Sequence, residues 1–131
     1  MGSAYDGPER RRFPRVKVNF TISYLVNRPL DFRMSVDNVE TSALMLDLSQ
    51  MGMAILTTSN IPVSTILSIT FTLINPYAFG DEQRKTMGII GEVRNSAPYE
   101  KNEYRLGIYF KKLSEEDKTA IANFVKFAMY E

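Results

Sequence analysis

The sequence predicts a mainly β domain: a small six-stranded antiparallel β-barrel with one C-terminal α-helix. Three observations carry that expectation. Residues 16–26 alternate apolar and polar side chains with period two. Several short apolar segments follow, bounded by Gly, Pro, Asn or Ser, and after Ser114 the period becomes helical. At 131 residues the chain has room for one domain, and closing the barrel removes the edges that short strands would otherwise expose.

Residues 1–8 are small and polar, expected to form a disordered tail with no apolar stretch for a signal peptide. Residues 9–15 form a basic arm, the first part of a single domain expected over 9–131. Val16, Val18, Phe20, Ile22, Tyr24 and Val26 then share one face, with Lys17, Asn19, Thr21 and Ser23 on the other. That is a half-buried strand. Residues 27–41 are mixed and polar, broken early by Pro29, and read as a loop or a weak strand extension. Short strands are expected over 43–47 and 53–58, with turn chemistry at 48–52. Over 66–74, Leu67, Ile69, Phe71 and Leu73 alternate with Ser68, Thr70 and Thr72. Residues 75–85, with Pro76, Gly80 and a charged run, read as a long hairpin loop. The last two strands span 86–95 and 104–111, joined through Ala97, Pro98 and Tyr99. The barrel thus occupies 16–111. Ser114 is a good N-cap with Asp117 three residues on. Behind it, Ile121, Phe124, Val125 and Ala128 recur at helical spacing, predicting an amphipathic helix over 115–130.

Composition excludes several function classes. The chain has no cysteine and no histidine, which removes Cys/His zinc sites, iron–sulfur sites, cysteine nucleophiles and His-based triads. Its apolar runs are far shorter than the ~20 residues needed to span a bilayer. No membrane insertion is expected, and a cytoplasmic location is. The carboxylates are scattered, and Glu115, Glu116 and Asp117 suit the first turn of a helix for dipole reasons alone. There is no Gly-x-x-x-x-Gly-Lys loop and no Gly-x-Gly-x-x-Gly. No enzyme, metal or cofactor is expected.

The net charge of +1 conceals an asymmetry. Residues 1–20 hold five basic and two acidic side chains, net +3; the remaining 111 hold 11 basic and 13 acidic, net −2. A basic arm on a mildly acidic body reads as an anion-binding segment or as a solvated tail.

Two segments carry specific chemistry: Arg10-Arg11-Arg12-Phe13-Pro14-Arg15 and Asp47-Leu48-Ser49-Gln50-Met51-Gly52. Arg11 and Arg15 offer guanidinium forks that grip phosphates or the O6/N7 edge of guanine, and arginine planes stack on purines. Pro14 holds Phe13 extended and stiffens the arm. The Asp47 carboxylate can accept from the N1–H and N2–H₂ donors of guanine. Ser49 can donate to a phosphate or carbonyl oxygen, and Gly52 permits a tight turn with close backbone approach to a ligand. Alone, an arginine cluster is usually a solvated patch and an Asp-x-Ser-x-x-Gly commonly just a turn. Together they have what a guanine nucleotide with phosphates requires.

The combination Arg-x-x-x-Arg (Arg11, Arg15) and Asp-x-Ser-x-x-Gly (Asp47, Ser49, Gly52) resembles the signature of PilZ domains, bacterial receptors for cyclic di-GMP. Gly91-Glu92-Val93-Arg94, Tyr104-Arg105-Leu106-Gly107-Ile108-Tyr109-Phe110 and Leu113-Ser114-Glu115-Glu116-Asp117 are similar to the family's last two strands and the start of its helix. The resemblance runs from about Glu9 to Tyr130. It implies a six-stranded barrel whose N-terminal arm folds over ligand held against the motif turn. Arg11 and Arg15 would clasp guanine edges and phosphates, Asp47 and Ser49 would read a guanine, and Gly52 would hold the turn. Arg12 would add a phosphate contact, and Arg10 stands where a basic residue favours an intercalated ligand dimer. The resemblance implies no catalysis, and an effector protein, unidentified by sequence, as the recipient of the signal. Two rivals are a small barrel binding single-stranded nucleic acid through its arm, and a non-binding interaction module of the same fold. The exposed strand faces lack the interleaved aromatic and basic residues that base stacking needs, so neither DNA nor RNA is expected as a partner.

Overall fold

Six strands precede one helix in the computed structural model, which describes residues 13–28, 40–76 and 78–129. They are β1 (Val16–Arg28), β2 (Thr41–Leu48), β3 (Gly52–Thr57), β4 (Ile66–Ile74), β5 (Arg84–Pro98) and β6 (Tyr104–Lys112), followed by α1 (Glu115–Ala128). The strands close into an antiparallel barrel in the order β1-β2-β3-β6-β5-β4. The expected tail at 1–8, most of the arm and residues 29–39 lie outside the described residues.

The period-two pattern of β1 translates directly into burial. Val16, Ile22, Tyr24 and Val26 are buried, while Lys17, Asn19 and Thr21 are exposed. Met45, Leu48, Met53, Ile55, Leu67, Val93 and Leu106 are wholly inaccessible and fill the barrel with Ile22, Ile69 and Ile89. At one end Ile61 closes the opening, and the Tyr24 and Thr57 hydroxyls hydrogen-bond across it at 2.9 Å.

Helix α1 covers the other end. Ile121, Phe124 and Val125 are buried, and the Phe124 ring meets Phe20 at 5.9 Å, tilted by 52°. Burying Ile121 alone contributes ~1.5–3 kcal/mol. Ser114 caps the helix by accepting from the Asp117 N–H at 3.1 Å. The Asp117 carboxylate turns instead to Lys85 at 3.8 Å, tying α1 to the start of β5. The motif turn between β2 and β3 and the root of the arm lie at this same end of the barrel.

Strand boundaries differ from the sequence reading mainly around β5. That strand continues through Ala97 and Pro98, and the reversal falls at 99–103. There the Tyr99 N–H donates to the Glu103 carbonyl at 2.9 Å, and Asn102 takes φ 63°, a left-handed conformation asparagine tolerates. Proline is accepted at the last position of a strand, where few ladder bonds remain to be lost. Within residues 75–85, Gly80–Gln83 form a 3₁₀ turn, closed by the Asn75 N–H donating to the Gln83 carbonyl at 2.8 Å.

Candidate ligand-binding site

Asp47 sits one residue before the end of β2. A register shift between Met45 and Asp47 leaves Leu46 without a partner on β3, the kind of bulge that re-aims a side chain. The carboxylate lies at the barrel surface with three donors on it. Its Oδ1 accepts from the Ala54 N–H at 3.1 Å and from Arg15 Nη1 at 3.2 Å, and its Oδ2 accepts from Arg105 Nη2 at 3.2 Å. The last arginine of the arm is therefore already on the aspartate of the second motif. Arg10, Arg11 and Arg12 lie outside the described residues.

Ser49 and Gly52 have structural work in this turn. The buried Ser49 Oγ accepts from the N–H groups of Met51 and Gly52 at 3.1 and 3.2 Å and donates to the Gly52 carbonyl at 3.3 Å. Its own N–H donates to the same carbonyl at 2.9 Å. Gly52 is required by packing, since a Cβ there would overlap the Ile108 carbonyl oxygen. The close backbone approach that glycine permits is thus between β3 and β6, and it lets the turn lie flat against the neighbouring strand.

The floor beside Asp47 follows from the register. Asp47, Ala54 and Gly107 stand side by side on β2, β3 and β6, and Gly52, Tyr109 and Glu92 form the next row on β3, β6 and β5. Small residues leave a trough, and a cleft of about 180 Å³ is lined by Arg15, Gly52, Arg94, Asn95, Gly107 and Tyr109. A second cleft of about 360 Å³ shares Met51 and Tyr109 with it and continues past Lys111, Lys112 and Lys118. On the far wall the Arg94 guanidinium lies 4.3 Å from the Tyr109 ring centre. Glu92 Oε1 pairs with Arg94 Nε at 3.2 Å and Lys111 Nζ at 3.4 Å. Burial pushes the Glu92 carboxyl up, but the hydrogen bonds and charges of Arg94 and Lys111 outweigh it and hold the group below its usual value.

Sequence reasoning missed Arg105, Arg94, Glu92, Tyr109 and Lys111 as site residues and treated their segments only as strand signatures. A signal was present: Arg105, Gly107, Tyr109 and Lys111 follow period two along β6, which places them on one face. What this arrangement can do is hold an extended, anionic, planar-ringed ligand. It offers guanidinium groups, carboxylates that accept from ring N–H groups, and an aromatic face.

Comparison with known proteins places the fold. The PilZ domain family model matches residues 9–127. The chain belongs to the PilZ family. Among solved structures, the PilZ chain is similar to the Bacillus subtilis inhibitor of motility MotI/DgrA, with 13% identity and a TM-score of 0.70 over 93% of this chain and 53% of that one. It is also similar to the PilZ domain of YcgR from Escherichia coli, solved with c-di-GMP, at 16% identity and TM-score 0.55, covering 92% and 95% of the two chains. A third similar structure is PlzA of Borreliella burgdorferi in complex with c-di-GMP, at 10% identity and TM-score 0.57, over 93% and 54%. The chain spans about half the length of the first and third of these. No curated protein matches the sequence. Among the described residues no helix is long and apolar enough to cross a membrane.

Proposed function

We propose that this PilZ domain is a cytoplasmic receptor for cyclic di-GMP that binds without chemistry and passes the signal to a partner protein. The observation that carries the reading is the contact of Arg15 with Asp47, which joins the two signature segments in one site. Two similar structures hold c-di-GMP, which supports the same ligand class.

In this reading the ligand's guanine donors go to Asp47, and Arg15 exchanges part of its contact with Asp47 for phosphate and base edge. Ser49 contributes through the turn it shapes and Gly52 through the flat approach it allows. Arg11 and Arg12 add phosphate contacts as the arm orders over the ligand, at an entropic cost offset by the new contacts. Arm, ligand and barrel then form a composite surface that an effector recognises. Arg10 supplies the extra positive charge that lets two stacked ligands, with about four negative charges, share the site.

Calorimetric titration with cyclic di-GMP, against GTP and a short oligonucleotide, tests this. Saturable binding of cyclic di-GMP alone, at two ligands per chain and weakening with salt, is expected. Arg10→Ala should shift the stoichiometry toward one. Binding of the oligonucleotide without cyclic di-GMP would replace this reading with the nucleic-acid one, and a stoichiometry of one for the unmodified chain would reduce Arg10 to a solvated neighbour.

A further inference from the structure

The strands on either side of the trough, β2 and β5, each carry a carboxylate, and each carboxylate is gripped by two cations, one of them an arginine that lines the cleft. On β2, Asp47 takes Arg15 and Arg105, both at 3.2 Å. On β5, Glu92 takes Arg94 and Lys111 at 3.2 and 3.4 Å. Three inter-strand spacings, roughly 14 Å, separate the two strands. Between the two carboxylates the outward positions are the small, buried residues Gly52, Ala54 and Gly107, with the Asn95 side chain lying over Gly107, and the ring of Tyr109.

An acid on the far wall is at first sight misplaced. It neutralises two cations that an anionic ligand would otherwise use, and a site built only for phosphate has no use for it. Its value lies in what it accepts. The Glu92 side chain keeps 18% of its surface exposed, and its two ion pairs both fall on Oε1. Among the described residues Oε2 has no ion-pair partner. The flanking cations keep the group ionised near neutrality, as an acceptor of two adjacent N–H donors must be. Beside it, the guanidinium of Arg94 lies over Tyr109 and supplies a plane for a purine to stack on.

We propose that Glu92 reads the second guanine of the same ligand molecule whose first guanine lies on Asp47, and so makes this site select a ligand with guanine at both ends. This inference rests on the cyclic di-GMP reading and deepens it. Guanine presents N1–H and N2–H₂ to the carboxylate. Adenine presents a bare N1 lone pair at the same position and no N2 amine, so it cannot offer the carboxylate two adjacent N–H donors and sets a lone pair against the negative charge; only its N6 amine, on the other side of N1, could donate after the base shifts. Arg94 and Lys111 hold the carboxylate in orientation and serve the adjacent phosphate with their remaining N–H groups.

The test is calorimetry on the full chain with three ligands: cyclic di-GMP, the mixed cyclic GMP–AMP and cyclic di-AMP. The unmodified chain should prefer cyclic di-GMP over the mixed ligand by about ten- to a hundredfold, the worth of one bidentate base contact. In the mixed-ligand molecule bound on Asp47, whether or not a second copy stacks on it, the guanine takes Asp47 and the adenine of that same molecule falls to Glu92. Glu92→Gln should weaken cyclic di-GMP by a similar factor and the mixed ligand much less, so that the preference collapses. Arg94→Ala, which removes a cation but leaves the acceptor, should weaken both ligands together and keep the preference. A preference unchanged in Glu92→Gln at matched circular dichroism would overturn the assignment. So would tighter cyclic di-GMP binding by that variant, which would make Glu92 a mere counter-charge. Failure of the unmodified chain to bind cyclic di-GMP would overturn the receptor reading itself and this inference with it.

Discussion

Arg15 donates to Asp47 at 3.2 Å across 32 residues of sequence, so the root of the arm and the end of β2 are one electrostatic unit. Arg15 is a third exposed and Asp47 is mostly covered, at 33% and 13%. The pair is therefore reachable by a ligand while partly shielded from water. Arg15→Ala and Asp47→Ala should each weaken cyclic di-GMP binding by ~2–5 kcal/mol, roughly thirty-fold to a few thousand-fold. The loss should appear in calorimetry without a change in far-UV circular dichroism. Normal affinity in both variants would remove these residues from the site.

Gly52 should be the most sensitive glycine in the barrel. A Cβ there meets backbone, the Ile108 carbonyl, which cannot swing aside as a side chain can. Gly52→Ala should cost ~1–3 kcal/mol in urea unfolding. Gly88→Ala is the control, because nothing stands within 4 Å of its Cβ position, and surface changes of that kind stay within ~0.5 kcal/mol. Equal effects of the two would mean that β3 and β6 can part at no cost.

Glu92 should leave a mark on the pH dependence of stability. Its folded pKa is held below the ordinary 4.5 by Arg94 on β5 and Lys111 on β6. The folded state therefore releases the proton more readily than the unfolded chain. The stabilisation is present above the ordinary value and is lost as pH falls through the folded pKa. Thermal melts of the unmodified chain and Glu92→Gln should differ at neutral pH and converge in acid. A difference that persists below both pKa values would assign the effect to packing.

The capping bond of α1 gives a prediction on the closed end of the barrel. Ser114→Ala removes the acceptor for the Asp117 N–H and should cost ~0.5–2 kcal/mol. Ser114→Asp should restore most of it, since a carboxylate caps equally well and suits the helix dipole. The measurement is the urea midpoint at constant slope.

The fold was legible because each element carries a local signature. The alternation from Val16 to Val26, the shift of period after Ser114 and the turn chemistry at 48–52 all express short-range rules. The candidate site was half legible. Asp47, Ser49 and Gly52 sit within six residues of one another, and a spacing rule can catch them. Arg105 cannot be found that way, because its tie to Asp47 depends on β6 lying beside β3, a pairing fixed by closure of the whole barrel. The displaced reversal after β5 has a similar cause. Proline at 98 reads locally as a turn, yet pairing with Tyr104 on β6 keeps the strand going to that point.

Barrel closure also sets when the groove comes into being. Hairpins β1–β2, β2–β3, β4–β5 and β5–β6 join segments that follow one another, and they can form early. The two remaining ladders, β1 with β4 and β3 with β6, close long loops, and such contacts are the slow ones in folding. Asp47 and Arg105 are 58 residues apart in the chain, and Gly107 and Tyr109, which floor the trough, belong to the last of the six barrel strands to leave the ribosome. A nascent chain halted before residue 104 would hold both sequence motifs and no groove to put a ligand in.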